Sequence, residues 1–294
     1  MYADRYYKHS GTVPPLAIVK ALLLGILAAV PLAFVYAYII VYLPIISVLT
    51  FLLTAGFGAM VGFAVGKVMH SGKVRNNTAA LAAAIPVGLF ALWISWVAWV
   101  YAVLHRGDSP VEVGVLDLVF SPAGLWKVIG LINDKGAWSL KGATPTGGIL
   151  WAMWAGEAAI IVGCVLLVAH TMVHDPFCEA CDRWCEEHKS FAVVGPTHKD
   201  VLVPRLEQSD YGILTELAGP EGDAYTQLDL HQCSQCQGNA ALTATRVTMK
   251  LKKGKQEKEE KVLLRHLILS PSDLAIVKEK LARTAPVQEE IAPG

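Results

Sequence analysis

The chain has 294 residues, of which 54% are apolar and 17% are charged, and its formal net charge is zero. This composition is too apolar for an ordinary soluble protein and predicts a membrane protein. Charges are few before Lys67 and frequent after Asp175, so we expect a membrane part followed by a water-soluble part.

The first half of the chain is dominated by long apolar runs. Residues 1–15 are polar and aromatic, and we interpret them as a short cytosolic lead. A helix needs about 20 apolar residues to cross about 30 Å of hydrocarbon. A transmembrane domain over 16–174 is therefore predicted, with an outer loop at 105–148. Its four predicted spans lie at about 16–43, 45–68, 78–104 and 149–172.

The charges between the second and third spans indicate the orientation. The short loop 67–75 contains Lys67, Lys73 and Arg75 and no acid. Short basic loops stay in the cytoplasm, so both chain termini are predicted to be cytosolic. Tryptophans near the far end of the third span agree, because aromatic residues favour the membrane interface.

Small residues repeat every four positions in the second span, at Gly58, Gly62 and Gly66. Such a stripe lets two helix backbones approach closely in lipid. We favour packing against another span of the same chain. The alternative is an interface between two copies of the chain, which would form a homo-oligomer. In the outer loop, residues 121–132 predict a short amphipathic helix that lies on the outer leaflet or covers the end of the bundle. A structural cover is favoured over a substrate gate.

Glu157 is an acid well inside the fourth span. A charge at that depth is costly, so it suggests a proton relay, an ion ligand or a partner for a base, against a hydrogen-bonded packing role. Ser95 and Arg106 are the partners considered for it. His170 and His174 share one helix face at metal-ligand spacing, but no glutamate lies between them, and we interpret them as interface residues.

Two CxxC motifs carry the strongest chemical signal, Cys178 with Cys181 and Cys233 with Cys236. Two such knuckles, about 50 residues apart, can supply four thiolates to one structural zinc ion. A redox pair is the alternative, but no thioredoxin-like unit surrounds either motif. Cys185 and His188 remain alternate ligands that could close a site with the first knuckle.

The region 175–285 is predicted to be a small cytosolic zinc-binding domain of the α+β class. Its Ser270-Pro-Ser-Asp273 segment begins a last helix, through about Arg283, and the tail 286–294 is expected to be disordered. A hairpin tip with mixed charges, KKGKQEKEEK, argues against nucleic-acid binding. We expect strands at 191–194, 201–203, 225–231, 241–251 and 261–269.

The four-span layout, the GKVRN motif at 72–76 and the cysteine-bearing tail together resemble bacterial membrane proteins with a zinc-ribbon-like cytosolic domain. The resemblance implies a location in the bacterial inner membrane and a zinc-ligand role for the four CxxC cysteines, but no activity. No common catalytic motif occurs. We therefore expect a scaffold or regulatory protein with a cytosolic protein partner; the alternatives are an oligomeric transporter or channel using Glu157 and, third, a membrane redox enzyme.

Overall fold

A computed structural model describes residues 5–43, 47–106, 112–137, 144–217, 219, 223–236, 238, 240–252 and 255–282. The chain divides into two compact units. A helical unit contains Ser10–His174, and a sheet unit combines Met1–His9 with Asp175–Gly294. The predicted disordered tail, 286–294, lies outside the described residues.

The helical unit contains four long apolar helices and two short ones. Within the described residues, α1, α2, α3 and α6 are each long and apolar enough to cross a membrane, which confirms the four long helices predicted from the sequence. The helices are α1 (Pro15–Tyr42), α2 (Ser47–Ser71), α3 (Asn77–Leu104), α4 (Val115–Phe120), α5 (Pro122–Lys135) and α6 (Gly147–Met172).

Small side chains form the contacts between the long helices. The buried face of α1 repeats every fourth residue, and its members are Ala17, Ala21, Gly25, Ala29, Ala33 and Ala37. A Cβ atom at Gly58 of α2 would lie 2.6 Å from the carbonyl oxygen of Ile161, and one at Gly62 would lie 2.7 Å from that of Val165. The glycines of α2 thus let its backbone touch that of α6 in the same chain.

The sheet unit is built around four antiparallel strands in the order β3-β4-β5-β6, beside a two-stranded hairpin of β1 and β2. Leucines from the sheet and its helices form the core. In chain order the elements are β1 (Phe177–Cys178), β2 (Arg183–Trp184), β3 (Glu186–Val194), α7 (Lys199–Glu207), α8 (Ile213–Glu216), β4 (Ala224–Gln232), β5 (Ala240–Lys252), β6 (Lys255–Leu269) and α9 (Pro271–Ala282).

The strand predicted at 201–203 is wrong, because these residues lie in α7. Two β-branched valines produced the strand prediction. In the structure, Leu202 and Leu206 are four residues apart and both fully buried, which is the spacing of one helix face. Tertiary packing of the two leucines therefore outweighs the β propensity of the valines.

Residues 5–9 belong to the sheet unit, although the sequence predicts a separate lead. Tyr6 forms an antiparallel bridge with Leu267 of β6, and the backbone N–H of Tyr7 donates to the carbonyl oxygen of His266 at 2.9 Å. The Tyr6 hydroxyl donates to Glu207 at 2.6 Å. The start of the chain thus extends the edge of the sheet that its C-terminal part forms.

Candidate metal centre

The first CxxC knuckle is the turn of the β1–β2 hairpin. Cys178 ends β1 and pairs with Arg183, and Phe177 pairs with Trp184. Asp182 has a φ of 50°, in the left-handed region that aspartate tolerates better than most residues. The tight turn returns the chain so that Cys181 faces the same point as Cys178.

The second knuckle is the turn between β4 and β5. Cys233 directly follows the last residue of β4 and is fully buried, whereas Cys236 is exposed. Burial acts to raise the pKa of Cys233, but the backbone N–H groups of Cys236 and Gln235 donate to its sulfur and hold its pKa below the usual value. The turn thus favours a thiolate at Cys233.

The two knuckles bring four sulfur atoms together. The Sγ atoms of Cys178, Cys181, Cys233 and Cys236 all lie within 4.8 Å of one another. The Cys178 and Cys236 sulfurs are 3.7 Å apart, far more than the bond length of about 2.0 Å in a disulfide. Four sulfurs at about 2.3 Å from a tetrahedral zinc ion lie about 3.8 Å from one another, so the arrangement fits such an ion.

The electrostatics of the cluster also fit a cation. Burial, together with hydrogen bonds to the sulfurs of Cys236, Cys233 and Cys178, raises the pKa of Cys181 to about 12. Four neighbouring thiols cannot all ionise unless a positive charge compensates them. A bound divalent cation supplies that charge, and thiolates are its ligands when it binds.

The two alternate ligands proposed from the sequence lie outside the group of four. Cys185 is buried against the cluster, and burial followed by the charges of Cys233 and Cys178 raises its pKa to about 12. It is therefore a neutral thiol beside the centre. His188 is exposed on β3, where it pairs with Leu230. Neither residue belongs to the cluster that the structure brings together.

Sequence reasoning missed the support that the first knuckle receives from the start of the chain. The backbone N–H of Phe177 donates to the Tyr7 hydroxyl at 3.0 Å, and the rings of His9 and Trp184 meet edge to face with centroids 6.2 Å apart. Both strands of the β1–β2 hairpin thus contact residues 5–9. No motif near Tyr7 signals this role, because the pairing joins opposite ends of the chain.

Glu157 lies in α6 as predicted and is half-buried. Within the part of the chain that the structure describes, it forms no hydrogen bond or ion pair with a side chain. Ser95, one partner considered from the sequence, instead donates to the carbonyl oxygen of Leu92 at 2.7 Å. Glu157 lies within electrostatic reach of Tyr36, whose hydroxyl is 2.9 Å from that of Thr54.

The two histidines do not share α6 as expected from the sequence, because α6 ends at Met172 and His174 lies beyond its C-cap, Val173. The rings of His170 and His174 are 5.3 Å apart, and the Asn77 amide donates to Nδ1 of His174 at 3.0 Å. That contact joins the end of α6 to the start of α3. The pair therefore has a structural contact, and the four cysteines remain the candidate centre.

No protein-family model, curated protein or solved structure matches this chain. The resemblance to bacterial membrane proteins with a zinc-ribbon-like domain therefore stays a prediction from motifs. What the described residues establish is four long apolar helices joined to a small sheet domain in which four cysteines lie close together.

Proposed function

We propose that this chain is a membrane-anchored scaffold or regulatory protein without catalytic activity. Its helices hold it in the bacterial inner membrane, and its sheet unit, stabilised by structural zinc, presents a surface to a cytosolic protein partner. The observation that carries the proposal is the closed group of four cysteine sulfurs within 4.8 Å. Four protein ligands occupy every coordination position of a tetrahedral ion and leave none for a substrate.

Zinc is the metal that this donor set favours for a structural role. Soft thiolate ligands select zinc, copper(I) or iron, and a tetrahedral set of four sulfurs is typical of zinc or iron. Zinc has no redox chemistry, which suits a site whose task is to hold two turns together. It would join the β1–β2 hairpin to the end of β4, where the buried cluster among the described residues consists of cysteines.

The outer faces of the long helices support the membrane anchor. Large apolar residues such as Leu23 and Leu27 on α1, Phe63 on α2 and Leu89 on α3 are more than half exposed. In water these faces would be costly, whereas lipid tails solvate them well. The basic loop at Lys67, Lys73 and Arg75 favours the cytosol, and two further crossings, by α3 and α6, would return the chain to the cytosol before the sheet unit.

The membership of the sheet unit gives independent support to the topology. Residues 5–9 precede α1, the rest of the unit follows α6, and both segments fold together. Two parts of one folded unit lie on the same side of a membrane. An even number of crossings between them satisfies that condition.

The outer part of β6 offers the kind of surface a protein partner would recognise. Residues 256–262 are all exposed and include Glu257, Lys258, Glu259, Glu260 and Lys261. Interspersed charges of both signs suit electrostatic complementarity with a protein better than the backbone of a nucleic acid, which requires a basic surface.

Metal content tests the proposal directly. We expect one zinc ion per chain in the purified, reduced protein, measured by inductively coupled plasma mass spectrometry. Cys178→Ser and Cys233→Ser should lose it. Cys185→Ser is the matched control, since its thiol is buried beside the cluster but outside it, and it should keep the metal. An absence of metal from the wild type, or loss in the control alone, would refute the assignment.

A second function, transport through an oligomer, rests on Glu157. Its carboxyl group lies in a helix long enough to span a membrane, with no basic partner among the described residues, and it interacts electrostatically with the Tyr36 hydroxyl on α1. Ionisable groups at such depth often serve a proton or ion pathway.

Proton flux into proteoliposomes, followed with an enclosed pH-sensitive dye, separates the two functions. If the chain is a scaffold, wild type and Glu157→Gln should both leave the vesicles as tight as empty ones. Flux in the wild type that Glu157→Gln abolishes, with the zinc content unchanged, would establish the transport function instead.

A further inference from the structure

The hairpin formed by α4 and α5 lies against the end of the bundle at which α3 ends and α6 begins. The Asn133 amide of α5 donates to the carbonyl oxygen of Gly147, the first residue of α6, at 3.1 Å. One turn into α6, the Trp151 ring packs on Trp126 of α5 with centroids 5.2 Å apart. These two contacts place α5 across the first turn of a helix long enough to span a membrane.

One face of the hairpin belongs to the bundle core. Leu118 of α4 and Leu125 and Ile129 of α5 are almost completely buried among residues of the long helices. Asn133 continues the buried face of α5 by one more turn and is itself buried. The hairpin is therefore packed in place and does not hang freely from the bundle.

Four other large apolar side chains of the hairpin are exposed. Leu116 and Phe120 are four residues apart on α4, so they share a face, and Phe120 is 80% exposed. On α5, Trp126 and Leu131 are also more than half exposed. For comparison, Leu27 on the outer face of α1 is 67% exposed. These side chains are thus about as exposed as one on a helix face that would meet lipid.

The charges of α5 show which way the helix faces. With about 100° between successive residues, Lys127 and Asp134 lie on the side opposite the buried Leu125 and Ile129. Trp126 lies on the flank between the buried and charged sides, whereas Leu131 lies about 40° from Lys127, on the charged side. A helix that lies at a membrane surface directs its polar groups toward water and an apolar flank toward the boundary of headgroups and acyl chains. Tryptophan in particular favours that boundary.

Resting on the proposed membrane anchoring, we propose that the α4–α5 hairpin is an interfacial element whose ligand is the lipid leaflet beside it. Leu116, Phe120 and Trp126 enter the boundary between headgroups and acyl chains. The contacts of Asn133 and Trp151 attach the hairpin to α6. The depth of the hairpin in the leaflet therefore determines the depth of the helical bundle in the membrane. The balanced charges of the hairpin, with Lys127 and Lys135 against Asp117 and Asp134, favour no particular headgroup charge.

Photo-crosslinking to lipid in vesicles of phosphatidylcholine and phosphatidylglycerol tests the proposal. The photoreactive amino acid p-benzoylphenylalanine replaces one residue at a time, and mass spectrometry counts lipid adducts on the full chain. Leu27 is the reference for a spanning helix and Leu251, on β5 and 75% exposed, the reference for water. Lys127 is the matched control on the charged side of the hairpin. We expect adducts at Phe120 and Leu27 in similar yield, several-fold above those at Lys127 and Leu251.

Three results would overturn the proposal, and they differ in whether they also overturn the membrane anchoring. Adducts at Leu27 with Phe120 at the level of Leu251 would place the hairpin in water and leave the membrane anchoring intact. An adduct between two chains at Phe120 would mean that a second copy covers this face. Background yield at both Leu27 and Phe120 would remove the membrane anchoring together with the hairpin's role.

Discussion

The two units of the molecule use leucine in opposite ways. Leu23 and Leu27 lie on the outside of the helical unit, whose buried faces are rich in alanine, glycine and valine. In the sheet unit Leu228 and Leu242 lie inside, in a core made mostly of leucine. Water drives large apolar groups into a core, whereas lipid tails are as apolar as leucine and leave helix contacts to close packing of small residues. Residue size at the buried positions thus indicates the solvent for which each unit is built.

If the four cysteines hold the proposed zinc ion, the largest difference between the units should appear when that ion is removed. Chelation should destabilise the sheet unit by at least about 5 kcal/mol, because structural zinc contributes about 10–16 kcal/mol in small zinc-finger peptides. The helical unit contains no residue of the four-cysteine cluster and should not respond. Hydrogen exchange with mass spectrometry, before and after chelation, should show faster exchange in the sheet unit, most of all in β1, β2 and β4, and unchanged exchange in α1, α2, α3 and α6. Unchanged exchange in the sheet unit would mean that the cysteines do not hold a structural metal.

A close backbone contact in the helical unit should be the next most sensitive feature. A Cβ atom added at Gly62 would lie 2.7 Å from the Val165 carbonyl oxygen, so Gly62→Leu introduces a steric clash. The clash is with backbone atoms, which cannot change conformation as easily as a side chain. We expect a loss of about 3 kcal/mol, at the upper end of overpacking costs. Thermal unfolding in mild detergent measures it. Gly56→Leu is the matched control on the same helix, since no atom lies within 4 Å of its Cβ position. Equal losses in the two variants would contradict close packing at Gly62.

A leucine-to-alanine substitution in each unit tests whether leucine is buried in the sheet unit and exposed in the helical unit. Leu242→Ala in β5 opens a cavity in a fully buried core position and should cost about 3 kcal/mol of unfolding free energy. Leu27→Ala removes a side chain that faces outward from α1 and should change stability by less than about 0.5 kcal/mol. Denaturation followed separately for each unit compares the two. A cost at Leu27 as large as that at Leu242 would mean that the outer face of α1 is a packed interface.

The sequence predicted the features that have a local signal. Long apolar runs located α1, α2, α3 and α6 within a few residues, and the CxxC spacing identified the four cysteines that the fold brings together. It did not predict the pairing of Tyr6 with Leu267, because no local pattern marks a contact between opposite ends of a chain. The strand expected at 201–203 failed for a related reason. The helix there depends on a core that Leu202 and Leu206 enter, which is a property of the whole unit.

The smallest expected effect concerns an exposed ion-pair group that joins α7 to α8 in the sheet unit. Arg205 donates to Asp210 at 2.6 Å and to Glu216 at 2.7 Å, and these bonds hold the pKa values of both carboxyl groups below their usual range. Both carboxyl groups are exposed, so Arg205→Gln should lower the thermal midpoint at pH 7 only slightly. Lys199→Gln on α7 removes the same charge without these partners and should have no effect.

The pH dependence of that small effect identifies its cause. Because the folded pKa values are lowered, the ion pairs contribute stability above the unfolded pKa values of about 3.9 for aspartate and 4.3 for glutamate. The contribution disappears as the pH falls through the folded values and the carboxylates are protonated. The difference between wild type and Arg205→Gln should therefore be full at pH 7 and shrink below about pH 4. A difference that stays constant to pH 2 would mean that Arg205 acts through the packing of its alkyl chain, because only the charge interaction requires ionised Asp210 and Glu216.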